Sequence, residues 1–179
     1  WISDINQELL TSGAVILPGN KDRGGRSVLQ VCTRVQVWAS EACSANTLTC
    51  LLRYYHSTLR KEMRDQGMAV VIDSREQQPV PALFSSLFEF QTLEPNALYS
   101  VLFVVDKDGS AKLDRDLNVQ NETFSSLKAL LKHIDQTQLT RDLGGTFYYN
   151  HEHWISFRQK IEPFASSCCA AIRFLQESR

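Results

Sequence analysis

The fold is decided by "MAVVIDSREQQPVPALFSSLFEFQTLEPNALYSVLFVVD", residues 68–106. Its two ends, Met68–Asp73 and Leu98–Asp106, are short apolar runs without alternation, which is typical of strands covered on both faces. Between them, apolar side chains recur at helical spacing from Pro81 until Pro95 ends the pattern. A strand, a helix and a second strand in this order predict a crossover connection and a mainly parallel sheet. The fold class is therefore predicted to be α/β, a mainly parallel sheet flanked by helices.

The segment before this unit predicts a hairpin and a helix. The stretch "AVILPGNKDRGGRSVLQV" at 14–31 contains an apolar strand, Ala14–Leu17, then a turn rich in glycine and charge, then a second strand, Ser27–Cys32. Apolar residues next recur with helical spacing over 48–63. We predict one long helix there, ending at Gly67.

The segment after this unit is polar until two further helices. One short strand is expected near Val119, and residues 124–134 carry the pattern of an amphipathic helix. Pro163 is expected to kink or break the last helix. That helix is predicted to be long and amphipathic, because its apolar residues recur at spacings of three and four: Trp154, Phe157, Ile161, Phe164, Cys168, Ala171 and Leu175.

Length and composition set the broad class. The chain of 179 residues is 43% hydrophobic and 22% charged, which is typical of a globular protein. We predict an α/β domain over residues 1–150 and a helical segment over 151–179. The net charge of −1 gives no indication of a nucleic-acid partner. Five cysteines, an odd number without a CxxC pair, favour reduced thiols in a cytoplasmic protein. Both ends of the chain look abrupt, so we expect a piece of a longer protein.

The glycine-rich turn is a candidate anion site. Lys21, Arg23 and Arg26 surround three glycines, and free backbone N–H groups with three cations could hold a phosphate or a lipid headgroup. The turn lacks the pattern of a phosphate-binding P-loop, and a strand follows it in place of a helix. An ordinary connection between two strands is the alternative.

The sequence contains little that predicts a metal site or a catalytic site. His151 and His153 are two residues apart, which places them about 200° apart on a helix, too far to share a metal. Asp73 and Asp106 end parallel strands, where α/β enzymes often hold catalytic groups, but helix capping or turn formation is the alternative. No nucleophile motif is present. We predict no metal, no cofactor and no enzymatic activity within this chain.

Residues 139–154 carry the pattern L-x-x-x-L-G-G-T-x-x-Y-x-H-x-x-W. It resembles the end of the CRAL-TRIO lipid-binding domain of Dbl-family Rho guanine nucleotide exchange factors, and within that family the puratrophin and Solo branch. Residues 126–140 resemble the family's penultimate helix, and residues 12–31 its opening hairpin. The resemblance covers about 12–158, nearly the whole chain.

The resemblance implies roles for the pattern itself. Gly144 and Gly145 would supply backbone freedom where the domain closes. Tyr149, His151 and Trp154 would pack the junction from which a spectrin-like helix departs. Burying the apolar seam of that helix would stabilise it. We therefore expect the helix to fold back onto the domain or to pair with another copy.

The resemblance also implies a function. We expect a non-catalytic regulatory or targeting module of a Rho exchange factor, acting through protein contacts, weak phosphoinositide binding or autoinhibition. Its partners would be other domains of the same chain, protein partners, a phosphoinositide membrane surface, or a second copy bound through the C-terminal helix. The expected location is the cytoplasm, at the cytoskeleton or a membrane. Two alternatives remain, a lipid-transfer protein with a true cavity and an α/β hydrolase or transferase.

One departure from the family bears on lipid carriage. Lipid carriers of this fold have a long apolar gate segment after the strand that corresponds to Leu98–Asp106. Here the segment 106–123 is short of apolar residues, and a lipid-sized pocket needs mostly apolar walls. We therefore expect a shortened gate and no lipid carriage, because its apolar residues are only Ala111, Leu113, Leu117 and Val119.

Overall fold

A computed structural model describes residues 1–109 and 117–177, with the backbone alone at 165–170 and 173. The strands are β1 Val15–Ile16, β2 Val28–Cys32, β3 Met68–Asp73, β4 Leu98–Val104 and β5 Gln120–Phe124. The α-helices are α1 Gln7–Ser12, α2 Ala45–Ser57, α3 Lys61–Gln66, α4 Pro81–Leu93, α5 Leu127–Leu130 and α6 His151–Glu177. Short 3-10 helices lie at Ile2–Asp4, Gln36–Ala39, Glu41–Cys43, Gln136–Gln138 and Arg141–Leu143.

The five strands form one sheet in the order β1-β2-β3-β4-β5. The first pair is antiparallel and the other three pairs are parallel. The predicted class, a mainly parallel α/β fold with a C-terminal helix, is therefore confirmed. The hairpin and the strand near Val119 are also present, the latter one residue further on.

Both faces of the sheet are covered, which explains why its central strands are apolar without alternation. Helices α1, α2 and α4 share one core with one face of the strands: Leu29, Val70, Ile72 and Phe103. Helix α5 and the turns after it share a second core with the opposite face: Val28, Val71, Leu102 and Val104.

The predicted helix over 48–63 is wrong as a single element, because the chain divides it into α2 and α3. At the end of α2, the Ser57 and Thr58 hydroxyls donate to the carbonyls of Tyr54 and Tyr55. Such side-chain bonds compete with the helical backbone bonds, and apolar spacing does not reveal them. The predicted helix over 124–134 likewise shortens to α5, since residue 124 ends β5.

Helix α6 continues through Pro163 as one helix of 27 residues, so the predicted break is wrong, whereas the alternative of a kink stays a prediction. A proline inside a helix removes one backbone bond at a cost of about 3 kcal/mol. Pro163 is exposed, so water can satisfy the carbonyl that loses its partner.

The second half of α6 does not fold back onto the domain. Ile155 is 7% exposed, but Phe164 is 69% exposed and Phe174 is 70% exposed. The expectation that this helix folds back is therefore wrong beyond its first turns. Pairing with another copy stays a prediction.

The shortened gate falls partly outside the described residues, and Ala111 and Leu113 lie there. Leu117 is buried in the core beside α4, with Val119 packed against it. The described cysteines, Cys32, Cys43 and Cys50, are free thiols. In the described part of the chain, no helix is both long and apolar enough to cross a membrane.

Candidate functional site

The glycine-rich turn is attached to the distant segment 131–138. The Arg23 backbone N–H donates to the carbonyl of His133 at 2.8 Å. The Arg23 Nε donates to the carbonyl of Leu131, also at 2.8 Å. The Asn20 amide donates to the carbonyl of Gln138 at 2.6 Å. The turn therefore fastens the opening hairpin to the region after α5.

These contacts form a cavity of about 260 Å³, which we call the turn cleft. Two of the three predicted cations, Arg23 and Arg26, line it, whereas Lys21 does not. The Arg26 guanidinium lies 3.4 Å from the centre of the Tyr99 ring. The other side chains at the cleft include Gln120, Asn121, Glu122, Lys132 and His133.

Lys132 and His133 were missed by sequence reasoning. They lie more than a hundred residues after the turn, and no local pattern marks them as its neighbours. The bonds from Arg23 and Asn20 to the segment 131–138 bring the two segments together. Contacts of this range depend on the complete fold.

The charges of the turn cleft nearly cancel. Arg23 Nη1 is 3.5 Å from Asp135 Oδ2, Arg26 Nη1 is 3.9 Å from Asp22 Oδ2, and His133 Nε2 is 2.5 Å from Glu122 Oε2. Within the described residues, Lys132 has no ion-pair partner, and the buried Arg26 Nε has no acceptor. An anion would therefore have to compete with carboxylates already present, so only weak binding fits this arrangement.

Gly144 and Gly145, the glycine pair of the predicted junction, are each required for a different structural reason. Gly144 has φ +82°, in the left-handed region, where it ends the 3-10 helix before it. A Cβ on Gly145 would lie 2.5 Å from the Gln136 carbonyl oxygen and closer still to that of Leu139. No side chain fits at Gly145 without a backbone shift.

His151 connects the start of α6 to the domain. Its Nε2 lies 2.6 Å from the Leu10 carbonyl, which can only accept, so Nε2 carries the proton. Its Nδ1 then accepts from the Tyr149 hydroxyl at 2.6 Å. Burial lowers the pKa of His151, against the opposing effect of the Leu10 bond. The ring is stacked on Trp154, whose own ring centre lies 5.4 Å from that of Tyr55.

Glu162, three helical turns after His151, makes a further set of contacts that hold α6 on the domain. Its carboxylate accepts from the Ile2 backbone N–H at 2.7 Å, from Arg158 Nε at 3.0 Å, and from the Tyr54 hydroxyl. Burial alone would raise the pKa of Glu162, but these hydrogen bonds outweigh it and hold the pKa below its usual value. Burial and the Glu162 bond raise the pKa of Tyr54 to about 12. We call His151, Trp154, Arg158 and Glu162, with their partners, the α6 anchor.

The two strand-end carboxylates are occupied by structural contacts. Asp73 receives Arg34 Nη1 at 2.8 Å and Arg75 Nη2 at 2.7 Å. Burial would raise the pKa of Asp73, but the bonds from Arg75 and Arg34 outweigh it and lower the pKa. Asp106 accepts from the Glu76 backbone N–H at 2.7 Å. Because the strands follow chain order, the sheet also lacks the reversal that opens a ligand crevice at this edge.

The predicted separation of the two α6 histidines matches their positions. His151 is half-buried in the anchor, whereas His153 is exposed on the next part of the turn. Across the described ranges, no group of three or more metal-ligating side chains converges.

Comparison with known proteins identifies relatives of this chain. No family model matches the chain. It is 47% identical to pleckstrin homology domain-containing family G member 4B of Homo sapiens over 177 residues, 99% of this chain and 11% of that protein. It is 38% identical to human puratrophin-1 over 174 residues, 97% of this chain and 14% of that protein. It is 32% identical to guanine nucleotide exchange factor DBS of Rattus norvegicus over 121 residues, 62% of this chain and 10% of that protein.

The homologues of this chain thus include Rho guanine nucleotide exchange factors of the Dbl family. The chain spans about a seventh or less of the length of these relatives. The expectations of a CRAL-TRIO domain and of a spectrin-like helix stay predictions.

Proposed function

We propose that this chain is a non-catalytic regulatory module of a Dbl-family Rho exchange factor. It would consist of a CRAL-TRIO-type domain at 1–150 and the start of a spectrin-like helix at 151–179. Support comes from the homologous exchange factors, from the mainly parallel sheet, and from the occupied strand-end carboxylates. The module would act in the cytoplasm, at the cytoskeleton or a membrane.

The observation that carries this proposal is the two-part character of α6. Its first half is fixed by the α6 anchor, so the direction in which the helix leaves the domain is set by several contacts. From its midpoint onward the helix presents apolar side chains to solvent, including Phe164, Ile172 and Phe174, and Phe157 is exposed on the outer face of the anchored half. Exposed apolar stripes of this kind mark surfaces for protein contact. Other domains of the same chain or a protein partner would cover them and thereby adjust exchange activity.

The test is a nucleotide-exchange assay on the full-length protein with Rho-family GTPases. We expect Phe157→Glu with Phe164→Glu to change the exchange rate at least severalfold, because a charge on this stripe removes the contact. Gln159→Glu is the matched control, because this exposed residue lies on the face of the helix roughly opposite Phe157 and Phe164. The isolated 179-residue chain should not accelerate exchange. Equal rates for wild type and the double variant would contradict regulation through α6.

A second candidate function is weak binding of a phosphoinositide headgroup in the turn cleft, favoured by the convergence of Arg23, Arg26 and Lys132. Lys132→Glu should reduce sedimentation with phosphoinositide vesicles, since Lys132 is the cation with no described carboxylate partner. Lys128→Glu makes the same charge change on an exposed lysine of α5 and should leave sedimentation unchanged. Equal binding by wild type and Lys132→Glu would reject the turn cleft as the site.

The lipid-carrier alternative is favoured by one other feature. A groove of about 460 Å³ lies between α2 and α4, lined by Phe84, Phe88 and Leu117 among others. If the groove takes an acyl chain, organic extracts of the purified protein should contain one lipid per chain by mass spectrometry. We expect none, because Phe88 is 46% exposed and the groove is open to solvent.

A further inference from the structure

The five tyrosines of the chain are not equally constrained. Tyr148 is 71% exposed, and within the described residues its hydroxyl has no hydrogen-bond partner. The other four are held by a hydrogen bond from the hydroxyl or by a guanidinium over the ring: Tyr54, Tyr55, Tyr99 and Tyr149. A modifying enzyme would therefore reach one phenol without disturbing a packed or bonded side chain.

The backbone around Tyr148 is also accessible. Its preceding residue, Phe147, makes an isolated bridge with Thr140, and residues 148–150 have no regular secondary structure before α6 begins. An extended segment of this kind can lie in the active site of another enzyme with little unfolding.

The surroundings of Tyr148 suit a phosphate. Tyr148 and Arg141 line the same cavity of about 240 Å³. Arg141 is exposed and has no ion pair in the part of the chain that the structure describes. Asp142 lines the cavity as well, but it is exposed, so its repulsion is screened by solvent. A guanidinium binds phosphate oxygens bidentately and strongly.

We infer that Tyr148 is a phosphorylation site whose phosphate is held by Arg141 of the same chain. The Tyr148 hydroxyl oxygen forms a bond to the γ-phosphorus of ATP while the bond to the β,γ-bridging oxygen breaks. ADP leaves, and the phenolic proton passes to the base of the tyrosine kinase. The product adds a charge of about −1.5 to −2 beside Arg141.

The modification would act on the α6 anchor. Tyr148 directly precedes Tyr149, whose hydroxyl binds His151 at the start of α6. A phosphate held by Arg141 ties this segment to the 3-10 helix Arg141–Leu143, so the start of α6 becomes less mobile. This inference does not depend on exchange activity.

The first experiment maps the site on the folded 179-residue chain with ATP and the catalytic domain of a broad-specificity tyrosine kinase. We expect one phosphate per chain, located at Tyr148 by peptide mass spectrometry and lost in Tyr148→Phe. Tyr99→Phe is the matched control and should leave incorporation unchanged. A synthetic peptide of residues 143–153 shows that the kinase accepts the sequence. Phosphate on another tyrosine, or on the peptide alone, would overturn the inference.

The second experiment tests the role of Arg141. Phosphorylation should raise Tm in the wild-type chain, and this rise should disappear in Arg141→Ala although incorporation is unchanged. The same rise in both chains would show that Arg141 does not hold the phosphate. No rise in either chain would lead to the same conclusion.

Discussion

Gly145 lies where two backbone carbonyl oxygens, from Leu139 and Gln136, approach the position that a Cβ would occupy. Its own N–H donates to the carbonyl of Thr140. The residue therefore allows two stretches of backbone to approach closely just before α6. The sequence pattern indicated that glycine is needed here, but not whether the reason is a turn or a close approach.

Gly145→Ala should lower the free energy of unfolding by about 3 kcal/mol, because the atoms that the new methyl meets are mainly backbone and cannot move freely. Urea unfolding measures this change. Gly24→Ala is the control, since the nearest atom there is the flexible end of Arg26. Similar losses for both variants would contradict the close-approach explanation.

His56 is a second residue whose buried environment determines its effect on the stability of the folded chain. It is 8% exposed, its Nε2 has no described partner, and its ring meets Phe90 edge to face. Burial lowers the pKa of His56, with smaller opposing and supporting effects from Glu94 and Arg64. The folded chain therefore keeps the neutral form. The effect of His56 leaves the folded chain at its full stability above the pKa of this histidine in the unfolded chain, about 6.5. The stability falls as the pH drops below that value.

His56→Leu should raise the free energy of unfolding at pH 7 by about 1 kcal/mol, because an unsatisfied buried nitrogen is removed. It should also weaken the fall in stability between pH 7 and about 5. Urea unfolding across this pH range tests both effects. His153→Leu is the control on an exposed histidine, and an identical pH dependence of wild type and His56→Leu would refute the argument.

At the scale of elements, the α6 anchor depends on Glu162 more than on any single aromatic contact. Glu162→Gln keeps the shape but removes the charge that Arg158, Tyr54 and the Ile2 N–H bind. Hydrogen bonds to a charged group are worth about 1.5–3 kcal/mol. We expect a loss of about 2 kcal/mol and faster amide exchange across residues 151–162.

Glu152→Gln makes the same chemical change on an exposed residue of the first α6 turn. It should alter stability by only a few tenths of a kcal/mol. Hydrogen exchange followed by mass spectrometry compares the two variants directly. Unchanged exchange in Glu162→Gln would mean that the aromatic contacts hold α6 without this carboxylate.

Sequence reasoning succeeded for the elements that depend on local apolar patterns. The apolar runs of β3 and β4 and the apolar pattern of α4 correctly predicted a covered parallel sheet. It was wrong for the helix over 48–63, because hydroxyl back-bonding at Ser57 and Thr58 ended α2 early. The turn cleft was only half visible, since Lys132 and His133 reach Arg23 through tertiary structure.

At the scale of the whole molecule, the exposed stripe of α6 should lead to self-association of the isolated chain. Phe157 and Phe164 are more than half exposed, and burying such side chains contributes about 1.5–3 kcal/mol each. Sedimentation velocity should show a concentration-dependent dimer in the wild type and a monomer in Phe157→Ser with Phe164→Ser. Gln159→Ser, on roughly the opposite face of the helix, should still dimerise. A wild-type monomer at every soluble concentration would contradict this prediction.

The bond between the Ile2 backbone N–H and Glu162 has a mechanical consequence. The first residues of the domain and the point where α6 leaves it lie side by side. If a longer chain were pulled from both directions, the force would load this contact before it reached the sheet. Helix α6 would separate from Ile2 and Tyr54 while the five strands stayed intact. The α6 anchor would therefore be the first contact to break under tension.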